Sequence, residues 1–402
     1  MPTARIRLAH SVPAGLAPEL AKRLYFVSSA IEGFDLVTAD DASGSVWAVD
    51  VELDSPHADD VRDLERKVDR MVAQEILGQR EMPPKRVWSS AAPPAVCVDA
   101  EGLLADGDAL FRAGDGQVGF GEPLLSLFEY FDRRLRAIAL RLENAREYRY
   151  PTLLPASVLE RFDYFASFPH FVMFVTRLHN DLDVYDAFVT SYREEGRLPE
   201  GLLGHCRDHS LCLPPTMCYH AFEQHAGRQL VGDRVVTARG KSFRFESRYH
   251  AGMKRLWDFT IREIVFLGSP DFVHRSRRSV LDAACALMDE LGLVGVCEVA
   301  NDHFFLDRET ATRIFSQRLM ELKYELLLDV GPDEAIAVAS FNAHGRYFGE
   351  AFGIDGDDGT ITSGCVGFGL ERLVFAFLCQ RGVDPAGWPE SVRRAVEAGG
   401  RP

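Results

Sequence analysis

Apolar and polar positions recur with period two in some stretches and with period three to four in others, and these stretches divide the chain. Residues 4–10 alternate as a strand, 16–31 read as a helix, 45–53 alternate again, and 57–77 form a charged amphipathic helix. This predicts a small β-α-β-α domain over residues 1–95. The Pro-Pro break at 83–84 and the small, Pro-rich run at 89–96 place a boundary near residues 80–105, with a larger domain over 105–400. Pro123 opens a long predicted helix, because Leu124, Leu127, Phe128, Phe131, Leu135, Ile138 and Leu142 make one apolar stripe. Residues 147–154, EYRYPTLL, follow as a strand whose Pro151 belongs at an edge or an interface. Further on, 279–291 read as a helix and 295–305 as a strand and turn. A strand led by Lys323-Tyr324-Glu325-Leu326 and another over 335–342 come next. A Gly-rich strand running into a helix closes the series at 363–373.

Between these lies residues 243–268, FRFESRYHAGMKRLWDFTIREIVFLG. The alternation predicts a hairpin with Arg244 and Glu246 on one face of its first strand. On the second strand Arg255, Trp257, Phe259, Ile261 and Glu263 share a face. Guanidiniums, carboxylates and an aromatic plane on one face suit a nucleotide. Alternating charge fits a solvated hairpin equally well.

Composition narrows the class. A chain of 402 residues has room for one large catalytic domain and a smaller one. The net charge of −15 argues against broad, non-specific nucleic-acid binding. No apolar run approaches the roughly 18 residues that a membrane helix needs, and the N-terminus lacks a signal-peptide core. A cytoplasmic protein without a membrane partner is expected. The eight cysteines include no CxxC pair, so reduced, buried thiols are expected. Residues 114–119 match GxGxxG, but no clear strand precedes them and no helix opens after them, which predicts a loop. At the C-terminal end, Gly364, Gly367 and Gly369 clear space beside the backbone. Arg372 then opens a helix, a place for phosphate or merely a tight packing contact.

Arg244-x-Glu246 followed by Arg255-Leu256-x-x-Phe259-x-x-Arg262-Glu263 resembles motif 2 of class II aminoacyl-tRNA synthetases, closest to the seryl type. The helix after Pro123 and its strand resemble motif 1, which forms the homodimer interface in that family, and GFGLER ending at Arg372 resembles motif 3. Tyr164-Phe165-x-Ser167-Phe168-Pro169-His170 resembles one subgroup, the amino acid:[carrier protein] ligases, which keep a seryl-type core without a tRNA-binding arm. The resemblance covers about residues 120–385 and implies an α+β fold, a class II antiparallel sheet flanked by helices.

It also implies chemistry. A substrate carboxylate attacks the α-phosphorus of ATP and displaces pyrophosphate. Arg244 would hold the α-phosphate and carboxylate, Glu246 the adenine amine, and Phe259 the base. Arg255 and Arg372 would hold the outer phosphates, with Mg²⁺ on the triphosphate. Cys218, Glu263 and Cys365 occupy the places of a zinc site whose open position takes the substrate amine, with Cys212 as the rival ligand. By spacing alone the three form no metal signature. The sequence departs from the family in three places. Residues 335–342 lack the expected acidic Mg²⁺ ligand, Phe245 stands where the family often has His, and the N-terminal domain is an extension.

The acceptor implied is the phosphopantetheine thiol of a carrier protein, and the substrate a small amino acid (Gly, Ala or Ser). The acidic net charge argues against tRNA. Arg275, Arg277 and Arg278 are the candidate docking cations for the carrier. A seryl-like tRNA synthetase and a non-catalytic regulatory paralogue are the alternatives.

Overall fold

Strand pairing sorts the β segments into sheets of unequal size. The computed structural model describes residues 3–41, 43–53, 58–77, 85–93, 96–105, 107–247, 252–300 and 322–399. The turn read within 295–305 and residues 248–251 of the central string lie outside the described residues.

In the N-terminal part, β1 (Thr3–Val12), β2 (Ile31–Thr38) and β3 (Val46–Leu53) form an antiparallel sheet of order β1-β3-β2. Two helices, α1 (Ala17–Leu24) and α2 (Ala58–Met71), add Leu20, Leu24, Leu64 and Val68 to the core under Ile6, Val49 and Val51. The sequence reading ran the first helix on to residue 31 and missed β2, so the domain is not a plain β-α-β-α unit. The apolar stripe of α1 ends at Leu24. Beyond it the β-formers Ile31, Phe34, Leu36 and Val37 pair with β3.

The large sheet contains β4 (Arg86–Ser89), β5 (Ala145–Tyr148), β6 (Arg234–Phe243), β7 (Asp258–Gly268), β8 (Gly295–Val299), β9 (Lys323–Gly331), β10 (Glu334–Gly345) and β11 (Thr362–Gly369). Its order is β4-β8-β9-β10-β11-β7-β6-β5, antiparallel throughout except for the parallel pair β5–β6. The segment after residue 85 therefore adds an edge strand to this sheet. One face is covered by α3 (Leu124–Leu140), α4 (Pro270–Glu290) and α5 (Leu370–Arg381), which together build the largest core cluster. The stripe predicted for α3 is its buried face: Leu124, Leu127, Phe131 and Leu135 are fully covered. Helix α4 begins earlier than the apolar periodicity indicated, because Ser269 caps it by accepting from the Phe272 amide and Pro270 occupies its first turn. No described helix is long and apolar enough to cross a membrane.

The central hairpin is shorter than its charge alternation implied. β6 ends at Phe243 and β7 starts at Asp258, so Arg244, Glu246, Arg255 and Trp257 stand on the connecting loop. There Arg244 N–H still donates to Trp257 O at 3.0 Å, while Phe243 N–H donates to Pro214 O and Phe245 N–H to Phe171 O. The GxGxxG stretch proves to be a small hairpin, with strands over Leu110–Gly114 and Gln117–Phe120. Gly116 sits at a φ of +62°, its carbonyl accepts from Trp257 N–H, and a Cβ there would come within 2.5 Å of the Trp257 ring. Turn geometry thus accounts for this glycine without a dinucleotide.

Alternation along β7 separates the two faces of the sheet. Phe259, Ile261 and Glu263 face a cavity, while Arg262 points to the helical side. There, only 2% exposed, Arg262 forms a bidentate pair with Asp132 of α3 at 2.7 and 2.8 Å and reaches Glu147 at 2.9 Å. Removing only the cation leaves a buried carboxylate behind, partly served by Arg239 at 3.2 Å. Arg262→Met is therefore expected to cost about 3 kcal/mol in urea unfolding. The double variant Arg262→Met/Asp132→Leu should lose clearly less than the sum of the two single changes. Additive losses would show that the pair is uncoupled.

Candidate active site

The face of the sheet opposite α3, α4 and α5 lines a cavity of about 2060 Å³. Arg244, Glu246, Arg255, Phe259, Glu263, Cys218, Cys365 and Arg372 all border it. At one side stand three buried acids. Cys218 begins a short helix over Cys218–His225, Glu263 lies on β7, and Cys365 lies on β11. Pairing of Val265 with Cys365 and of Glu263 with Gly367 sets Glu263 and Cys365 diagonally on one face. One ligand atom from each of Cys218, Glu263 and Cys365 lies within 4.8 Å of the others.

Burial, and then the charge of Cys365, push the Glu263 carboxyl well above its usual range. The Cys365 thiol is pushed up by its hydrogen bond with Cys218 and by burial. A divalent cation would take the place of these protons. Two sulfurs and one oxygen suit Zn²⁺, and three protein ligands leave a fourth position for a substrate. Further groups support the set: Thr216 Oγ1 donates to Glu263 Oε2 at 3.3 Å, and Asn342 Nδ2 donates to Cys365 Sγ at 3.5 Å. His344 Nε2 lies 3.6 Å from the same sulfur. Cys212 is elsewhere, fully buried, with its thiol donating to Leu154 O at 3.5 Å.

At the other side three guanidiniums converge. Arg372, in the first turn of α5, is anchored by donating to Lys254 O at 2.7 Å and Ala337 O at 3.1 Å. Burial, then the nearby charges of Arg255 and Arg244, pull its pKa down to about 10. Cations crowded into one recess are relieved by an anion. Arg255 Nη1 donates to Glu246 Oε2 at 2.8 Å. Arg244 donates to Pro215 O at 3.0 Å, and its guanidinium lies 5.5 Å from the Phe259 ring centroid.

Sequence reasoning missed Thr216, Asn342, His344 and Glu325 as cavity-lining groups. Asn342 lies directly across from Cys365 in the β10–β11 register, a relation visible only once those strands pair. The carrier-docking set needs correction. Arg277 is buried, donates to Leu322 O at 3.2 Å and stacks 5.0 Å from the Tyr324 ring centroid, because it falls on the core side of α4. Arg278 pairs with Asp282 at 2.9 Å, and Arg275 is exposed.

Similarity to known proteins agrees with this geometry. No family model matches the chain. It is 33% identical over 315 residues to amino acid–[acyl-carrier-protein] ligase 2 of Bradyrhizobium diazoefficiens, covering 76% of this chain and 89% of the relative. It is 29% identical over 294 residues to the type-2 serine–tRNA ligase of Methanococcus aeolicus, covering 71% of this chain but only 56% of that relative. The chain thus spans little more than half the length of the serine–tRNA ligases it matches. Among solved structures, Methanopyrus kandleri seryl-tRNA synthetase, crystallised with A. aeolicus tRNASec, superposes with a TM-score of 0.70. That match has 22% identity and covers 99% of this chain and 78% of the other. The fold is that of a class II synthetase.

Proposed function

The chain belongs to the amino acid–[acyl-carrier-protein] ligase family of class II synthetase homologues, and from that premise we propose that it activates a small amino acid as its adenylate and passes it to the phosphopantetheine thiol of a carrier protein. The observation that carries this reading is one cavity bordered by both a cluster of three buried acids and a group of three guanidiniums.

In the first step a carboxylate oxygen of glycine, alanine or serine attacks the α-phosphorus, and the bond to the bridging oxygen breaks, releasing pyrophosphate. No protein nucleophile is needed; the residues position two anions and offset growing negative charge. Arg244 bridges the α-phosphate and the incoming carboxylate. Arg255 and Arg372 hold the outer phosphates, and Phe259 lies against the base. Glu246 exchanges its ion pair with Arg255 for the adenine amine. Cys218, Glu263 and Cys365 would hold a zinc ion, which would supply a Lewis acid for the substrate's neutral amine. Glu325, which faces the cavity from β9 opposite Ser340 and pairs with Lys323 at 2.7 Å, would offer a carboxylate to the Mg²⁺ that accompanies ATP, where residues 335–342 have none. In the second step the thiol sulfur attacks the adenylate carbonyl and AMP leaves. Helix α3 and strand β5 at the sheet edge are the surface for a homodimer.

A carrier acceptor is favoured over tRNA by the higher identity to the carrier-protein ligase, 33% against 29% for the serine–tRNA ligase, and by the net charge of −15. ATP–pyrophosphate exchange with each of the twenty amino acids is the direct test, followed by transfer from the best substrate to phosphopantetheinylated carrier or to total tRNA. Exchange with a small amino acid and thioester formation on the carrier are expected. Charging of tRNA alone would favour the synthetase reading, and absence of exchange with every amino acid the non-catalytic one.

A further inference from the structure

The N-terminal domain forms part of the wall of the same cavity. Phe26, just beyond α1, packs on His170 with ring centroids 4.8 Å apart and meets Phe171 edge-on at 5.7 Å. This seats the domain on the Phe168-Pro169-His170 segment of the catalytic core. Beside that contact Lys22, Lys67, Arg70 and Gln74 border the cavity that also holds Arg244 and Cys365. Lys67, Arg70 and Gln74 recur at spacings of three and four, so they share one face at the end of α2 and the turn that follows. The other face is core, through Leu64, Val68 and Met71.

These cations differ in how firmly the domain uses them. Arg23 is tied to Glu19 at 2.7 Å and Glu75 at 3.0 Å and holds the domain together. Among the described residues Lys67 pairs with Asp63 alone, one turn back at 2.6 Å, a solvent-screened contact that a ligand can replace. Arg70 is exposed and makes no ion pair among the described residues. The wall's own carboxylates, Glu19 and Glu75, are engaged by Arg23, which leaves Lys67 and Arg70 as the cations most open to an anion in the cavity.

We propose that this wall receives the phosphodiester of the phosphopantetheine arm, with Lys67 and Arg70 as its contacts. The inference rests on the carrier-protein reading above. The arm is neutral along its length and carries its charge at the end away from the thiol. With the thiol at the adenylate carbonyl, near Arg244, the phosphate lies an arm's length away in the same cavity, to whose wall the N-terminal helices contribute their cations. The domain thereby reads the acceptor and takes no part in adenylate formation.

The test uses the full chain and two small thiols, 4′-phosphopantetheine and pantetheine, alongside the phosphopantetheinylated carrier. The wild-type protein should aminoacylate phosphopantetheine with a kcat/KM about tenfold above that for pantetheine. The double variant Lys67→Glu/Arg70→Glu should lose that preference and fall about tenfold with the carrier. Its rate with pantetheine and its pyrophosphate exchange should stay unchanged. Equal loss with both thiols, a fall in exchange, or a wild-type protein indifferent to the phosphate would each overturn the proposal. A wild-type protein that is active in exchange yet charges only tRNA overturns the carrier reading and this inference with it. That outcome is seen before any variant is made.

Discussion

Arg244→Ala should lower amino acid-dependent pyrophosphate exchange by about a thousandfold, the effect of removing a donor aimed at charge that develops in the transition state. The side chain has two fixed contacts, the Pro215 carbonyl at 3.0 Å and the face of Phe259 at 5.5 Å. Both hold the guanidinium plane, so the group meets ATP already oriented. Arg244→Lys should rescue little, because an ammonium cannot keep the bidentate reach or the ring contact. Neither change leaves an unpaired buried charge, so thermal unfolding should move by only a few degrees. A variant that folds normally and retains exchange within tenfold of the wild type would remove Arg244 from the reaction.

Comparable loss is expected at the cluster of Cys218, Glu263 and Cys365. Cys365→Ala removes one sulfur from a set whose ligand atoms lie within 4.8 Å of one another. Metal analysis should show about one zinc per wild-type chain and almost none in the variant. Exchange should fall by at least a hundredfold, while ATP still binds, since the guanidiniums are untouched. Cys212→Ser is the control: its thiol serves only the Leu154 carbonyl, and zinc content and exchange should persist. Full exchange by chelator-treated, zinc-free protein would discard the metal from the mechanism.

Much of this fold is legible in periodicity, because burial on one face imposes it. The α3 stripe from Leu124 to Leu135 and the alternation of Phe259, Ile261 and Glu263 along β7 are examples. The family and its α+β sheet were legible from three motifs in order, which no single motif would have carried. Charge alternation misled on the length of the strands: Arg244 and Glu246 border the cavity from a loop, where Arg244 N–H still donates to Trp257 O while Phe245 N–H donates to Phe171 O. Arg277 misled for another reason. Its position on α4 has a buried side only because Tyr324 and Leu322 fold against it from far along the chain. Thr216, Asn342 and His344 gain meaning through cross-strand register and loop placement, and neither leaves a local trace. The seating of Phe26 on His170 and Phe171 is likewise a contact between distant segments with no spacing to betray it.

Cys365 and Arg372 ride on one unbroken piece of backbone, since β11 ends at Gly369 and α5 starts at Leu370. On the function proposed above, the grip on the amine and the grip on the triphosphate tail form a single gauge that cannot lengthen to suit its load. What such a gauge measures is the gap between an amino acid's nitrogen and its carboxyl. A β-amino acid, one methylene longer there, would bring its oxygen to phosphorus off the line of attack, whatever side chain it bore.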